Sequence, residues 1–138
     1  MRRYFDGVNA QDYDMIASCF APTVTLRDMC GISKGEPRTA HPEDMAARCK
    51  EFLTAHPDAE VWYESPPMAD REGSWVWAHW AEKGTWKGES CGLAPQNTPL
   101  DVSGHTRFQL EEVDGELKIV RQVVYRTFSD WELLQQSK

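Results

Sequence analysis

The chain has 138 residues, 41% hydrophobic and 27% charged, with a formal net charge of −7. That size suits one globular domain, residues 1–138, with one buried core. The acidic balance, with Arg2-Arg3 as the longest basic run, argues against a nucleic-acid partner and against an anionic membrane surface, since both require a basic footprint.

The four cysteines, at 19, 30, 49 and 91, contain no C-x-x-C pair, and no apolar run reaches the length of a membrane span or a secretory h-region. The expectation is a reduced, cytoplasmic protein. Six tryptophans provide large contact areas for a core, a pocket or an interface.

Residues 2–20 read as helix, because Tyr4, Phe5, Val8, Met15, Ile16, Cys19 and Phe20 recur at three and four. The pattern breaks at residues 9–12, and Asp12 is a candidate N-cap, so two short helices are expected. Pro22 ends the helical run. Residues 23–28 form a β-branched strand that carries one carboxylate, Asp28, just before Gly31. Residues 31–41 read as loop. Pro42 suits a first helical position, with Glu43 and Asp44 favouring the dipole. Met45, Cys49, Phe52 and Leu53 make one apolar stripe before His56-Pro57 ends the helix.

The remainder reads as β. Strands are expected at 60–64, 75–85, 101–113 and 117–128. Pro66-Pro67 restricts its strand to an edge or bulge, residues 70–73 form a turn, and residues 88–99 are loop. Asp114-Gly115 is a hairpin turn. A short terminal helix is expected after Ser129, a good N-cap. Helices followed by a meander of long strands specify an α+β fold with helices on one sheet face. A curved sheet leaves a concavity beneath them.

This order resembles the nuclear transport factor two-like superfamily, a cone-shaped α+β barrel whose curved, mostly antiparallel sheet wraps around N-terminal helices and encloses a pocket. In detail it is similar to the SnoaL-like (polyketide cyclase-like) branch, and at its N-terminus to ketosteroid isomerase. The segments that carry the resemblance are residues 3–5 and 8–12, Cys19 to Pro22 running into residues 23–28, residues 76–80 and 84–88, residues 92–95, 102–104, and Asp114-Gly115 before residues 118–120. The resemblance implies a cofactor-free site for a small hydrophobic molecule. It sets Asp28 at the position of the general base in ketosteroid isomerases and Tyr4 at their oxyanion-hole tyrosine. Their second oxyanion donor falls at Gly104. The acid of related cyclases falls at Val124, and the branch's last-strand histidine at Gln122. Neither full catalytic set is therefore present.

Each candidate has a functional and a structural reading. Asp28 can abstract a proton beside a carbonyl if Leu26, Met29 and Ile32 make its surroundings apolar, or it can be a turn residue or the partner of an arginine. Tyr4 can donate to an oxyanion or simply fill the core. Gln122, Val124, Arg126 and Phe128 share one face of the last strand, the cavity side by resemblance. Arg126 there can bind a carboxylate or pair with Asp28. Trp80 and Phe108 are expected to line the cavity, while His79 and His105 face away from it. No histidine–carboxylate spacing suits a metal, so no metal is expected. An outer sheet face of Trp75, Trp77, Ile119, Val123 and Tyr125 is too apolar for solvent, which points to a sheet-to-sheet homodimer. Two functions stay open: an isomerase, cyclase or lyase using Asp28 as acid/base, or a noncatalytic binding or assembly module.

Overall fold

The computed structural model describes residues 2–29, 35–90 and 93–128. Three helices come early: α1 (Arg2–Ala10), α2 (Tyr13–Ser18) and α3 (Pro42–Ala55). Asp12 caps α2 as its sequence predicts, its carboxylate accepting from the Met15 amide at 2.9 Å. At the start of α3, Asp44 reaches back to the His41 amide at 2.8 Å, and Pro42 occupies the first turn, where no N–H is missed.

Seven strands form one curved sheet: β1 (Phe20–Asp28), β2 (Arg38–Ala40), β3 (Glu60–Tyr63), β4 (Met68–Ala69), β5 (Trp75–Thr85), β6 (Pro99–Val113) and β7 (Glu116–Arg126). Their order is β2-β1-β7-β6-β5-β3, with β4 also paired to β5. Among the described residues only β1 and β7 pair in parallel, which sets the first and last long strands side by side. The sheet curves around the helices as a cone and does not close. Asn9 clasps α1 to the edge strand β3, giving to the Val61 carbonyl and taking from the Val61 amide.

Four details depart from the sequence pattern. The first strand begins at Phe20 and runs through Pro22, because pairing with β7 starts there (Phe20↔Ile119). Residues 38–40, expected as loop, pair antiparallel with β1 (Val24↔Ala40). The stretch 64–67 separates β3 from the two-residue β4, which keeps the prolines out of the ladder. Ile119, expected on the outer face, is buried in the core. The register of β7 against β6 slips between Leu110↔Ile119 and Gln109↔Arg121, and the extra residue reverses the alternation from there on. The Asp114-Gly115 turn has φ values of 51° and 80°, the left-handed pair a two-residue hairpin requires. The expected terminal helix after Ser129 lies outside the described residues.

The core between helices and sheet is aromatic. Tyr4 meets Phe5, Phe20 and Phe108 edge-on at centroid distances of 5.2 to 5.8 Å, and Phe5 meets Tyr63 at 5.1 Å. Ile16, Val24 and Leu26 complete the packing from α2 and β1.

Candidate functional site

The inner face of the sheet can be read from the ladder. Leu26 and Asp28 of β1 stand level with Gln122 and Val124 of β7. Val124 is level with Thr106 of β6, and Arg126 with Gly104. Gly104 and Thr106 are level with Trp80 and Ala78 of β5. Most of these positions are buried, and α3 packs against β1.

Asp28 sits at the end of β1. Gly35 is bonded to the end of β1: its amide donates to the Asp28 carbonyl at 2.9 Å, and Arg27 Nε donates to its carbonyl at 2.9 Å. Gly35 takes a φ of +81°, a conformation that favours glycine. The ion-pair partner of the Asp28 carboxylate is Arg48 of α3, at 2.5 Å, a residue outside the candidates named from sequence. Burial is the largest influence on Arg48 and disfavours its charge, but the Asp28 carboxylate, Tyr4 and Cys49 together hold the guanidinium above its ordinary range. Arg48 also helps line an open cavity of about 470 Å³ with Leu26, Arg38, Met45 and Glu51.

Behind this pair lies a second polar group. The Tyr4 hydroxyl is 3.7 Å from Cys49 Sγ and lies beside the Gln122 amide. Burial, reinforced by the neighbouring Cys49, pushes the Tyr4 phenol well above its ordinary range, so it keeps its proton. Burial likewise raises the Cys49 thiol, which is therefore a poor nucleophile. Gln122 is 2% exposed, and its Oε1 accepts no hydrogen bond among the described residues.

Trp80 and Phe108 are both packed. Phe108 has no exposed surface and its ring lies against Tyr4 and Phe5, so it belongs to the core. Trp80 donates its indole N–H to Thr106 Oγ1 at 2.9 Å, with its ring in the space that Gly104 leaves open. A Cβ at residue 104 would come within 2.6 Å of that ring. Gly104, the position that the resemblance equates with the second oxyanion donor of ketosteroid isomerases, is thus backed by the Trp80 ring. Val124 is buried beside Thr106. Arg126 is half-buried, donates to the Thr127 carbonyl at 3.0 Å and lies over the Phe128 ring at 5.0 Å.

One further inner-face residue went unnamed in the sequence. Glu82 is two residues past Trp80 on β5, so alternation alone sets it beneath the helices. It is 9% exposed, with Val61 and Val102 level with it on the flanking strands. Burial raises its carboxyl from the ordinary 4.5 to about 7, against a smaller opposing pull from Arg126. His79 and His105 form a stacked cross-strand pair, ring centroids 4.4 Å apart, on the opposite face. Ile32 and Cys91 lie outside the described residues. Among the described residues no three histidine, cysteine, aspartate or glutamate side chains are grouped to hold a metal, and no helix is long and apolar enough to cross a membrane.

No curated protein sequence matches the chain. Solved structures do. AclR from Streptomyces galilaeus, a candidate hydroxylase, superposes with a TM-score of 0.75 at 18% identity over 99% of this chain and 78% of its own. A SnoaL-like polyketide cyclase candidate from Jannaschia sp. CCS1 gives 0.74 at 20% identity, covering 98% of this chain and 85% of its own. IdmH from Streptomyces antibioticus, another polyketide cyclase candidate, gives 0.70 at 18% identity, covering 99% and 95%. At such identities these likenesses establish the fold. The family model described as a SnoaL-like domain matches residues 1–122, and the chain therefore belongs to the SnoaL-like family.

Proposed function

We propose that the protein binds a small, mainly hydrophobic molecule bearing an oxygen function beneath α3, and catalyses cofactor-free proton transfer in it: isomerisation, cyclisation or dehydration. The observation that carries this reading is the polar group enclosed by aromatic packing. Asp28 and Arg48 form a fixed ion pair, and the protonated Tyr4 hydroxyl and the Gln122 amide lie deeper. A buried phenol that keeps its proton is suited to donate to a carbonyl or a developing oxyanion. An ion-paired carboxylate is a poor proton acceptor. Asp28 therefore anchors and orients the ligand, and takes a proton only when the ligand draws Arg48 away. The resemblance to polyketide cyclase candidates supports a substrate of fused or folding carbon rings with oxygen substituents.

The same ion pair, together with the filled aromatic interior, also favours a noncatalytic binding module. Titration with 2-naphthol, an apolar ring system with one hydroxyl, tests the site common to both readings. Saturable one-to-one binding, weakened at least about fivefold by Tyr4→Phe or Asp28→Asn, is the expected result. Binding that neither substitution alters, or none at all, refutes the site. On the outer face, Tyr125 is 41% exposed and Trp75 and Trp77 are half-buried, and a second copy of the chain is the proposed cover for them.

A further inference from the structure

Glu82 stands apart from the Asp28 group. The strands β1, β7, β6 and β5 are consecutive, and Asp28 is level with Ala78 of β5, so Glu82 lies three strand spacings, about 14 Å, across the sheet and four residues, about 13 Å, further along β5. Cys49 of α3 bridges this span: Arg48 and Glu82 both act on its thiol electrostatically. Glu82 thus faces the same layer beneath α3 as Tyr4 and Cys49, from the opposite side. Its own surroundings are simple. The flanking strands set Val61 and Val102 beside it, Trp80 precedes it on the same face, and the backbone of Gly84 follows. The titratable and charged groups that face it are Cys49 from α3 and Arg126 from β7. Among the described residues the Glu82 carboxyl has neither a hydrogen bond nor an ion pair.

A carboxyl on the inner wall of a fold, unpaired and walled by valine and tryptophan, contributes nothing obvious to stability, since burying a lone acid is costly. It lies on the inner face of β5 and acts on Cys49 of α3 across the layer between them. We propose that Glu82 is the acid/base of the SnoaL-like site and that Arg126 is the positioning residue that favours its carboxylate form once the proton has left. This rests on the ligand site described above and changes its division of labour. Asp28, held by Arg48, orients the ligand, and Glu82 exchanges the proton. In an isomerisation the Glu82 carboxylate takes a proton from carbon, the C–H electron pair passes into the enolate, and Tyr4 donates a hydrogen bond to the oxygen. Glu82 then returns the same proton to another carbon, so the enzyme ends unchanged.

A raised carboxyl fits this role, because a group that titrates near neutrality can both take and return a proton. The test uses 5-nitrobenzisoxazole, an apolar ring compound. A base removes its C3 proton, the C–H pair forms the nitrile, and the N–O bond breaks to release a coloured phenolate. The expected rate rises with pH to a plateau with its midpoint near 7, falls about a hundredfold in Glu82→Gln, and is partly restored in Glu82→Asp. The exposed Glu60→Gln variant keeps the parent rate. In parallel, the Glu82 carboxyl carbon is titrated by nuclear magnetic resonance in the unmodified protein, which needs neither a ligand nor a folded variant. A midpoint in the ordinary glutamate range overturns the proposal. So does elimination that survives in Glu82→Gln or is lost only in Asp28→Asn. If the probe fails to bind, the ligand site beneath α3 falls, while the carboxyl titration still decides the state of Glu82.

Discussion

Replacing Glu82 by glutamine should make the protein more stable at alkaline pH and should remove part of its pH dependence. The carboxyl rises from 4.5 to about 7 on folding. Between those values the folded chain binds a proton that the unfolded chain has already released. Stability from this group is therefore full below about pH 4.5, falls as pH rises, and is fully lost above about 7. At about 1.36 kcal/mol per unit, the shift amounts to about 3 kcal/mol at its limit. Between pH 5 and pH 8, where part of the change has already occurred at the acid end, about 2 to 3 kcal/mol is expected. Glutamine has the same shape and does not titrate. Its own amide loses hydrogen bonds to water at both pH values, so that cost cancels in the comparison. The assay is urea unfolding of both proteins at pH 5 and pH 8, at one protein concentration. The stability of Glu82→Gln relative to the parent should increase by about 2 to 3 kcal/mol between the two. A change below about 0.5 kcal/mol would mean that Glu82 is solvated or paired in solution, and its role as acid/base would fall with it.

Three other outcomes follow from the packing. Gly104→Ala sets a methyl group against the Tyr125 carbonyl and within 2.6 Å of the Trp80 ring, and backbone cannot yield cheaply. A loss of about 2 to 3 kcal/mol is expected, with a change in tryptophan fluorescence as Trp80 is displaced; unaltered stability would show that the strand gives way. For the Asp28–Arg48 pair, whose side chains are 16% and 32% exposed, a double-mutant cycle of Asp28→Asn with Arg48→Met should give a coupling of about 2 kcal/mol, between values for exposed and buried pairs. Additive effects would mean that the pair is formed weakly in water. Light scattering at micromolar concentration should return twice the chain mass, and Tyr125→Asp should return the single chain; a monomeric parent removes the proposed dimer.

Several elements were legible from local chemistry alone. Asp12 as a cap, Pro42 with Glu43 and Asp44 at the start of α3, and Asp114-Gly115 as a hairpin turn each depend on residues within four positions. The placement of Gln122 and Val124 on the inner face followed from alternation, which held because no bulge lies between residue 121 and the end of β7. The same rule failed for Ile119, on the far side of the bulge. Glu82 could have been found by carrying the alternation of Ala78 and Trp80 one step further. Arg48 could not: a lone arginine on a helix looks solvated until its partner strand is known.

The order of elements, the two-layer α+β plan and the residues that start and stop each helix were determined by the sequence, since short-range sterics and hydrogen bonding decide them. Which charges meet was decided only in three dimensions. Asp28 and Arg48 are 20 residues apart and Cys49 and Glu82 are 33 apart, on elements that approach only when the sheet curls under α3. Burial, which separates an ion-paired Asp28 from an unpaired Glu82, belongs to the packed chain as a whole. No local pattern of residues encodes how much water it leaves at a given carboxylate.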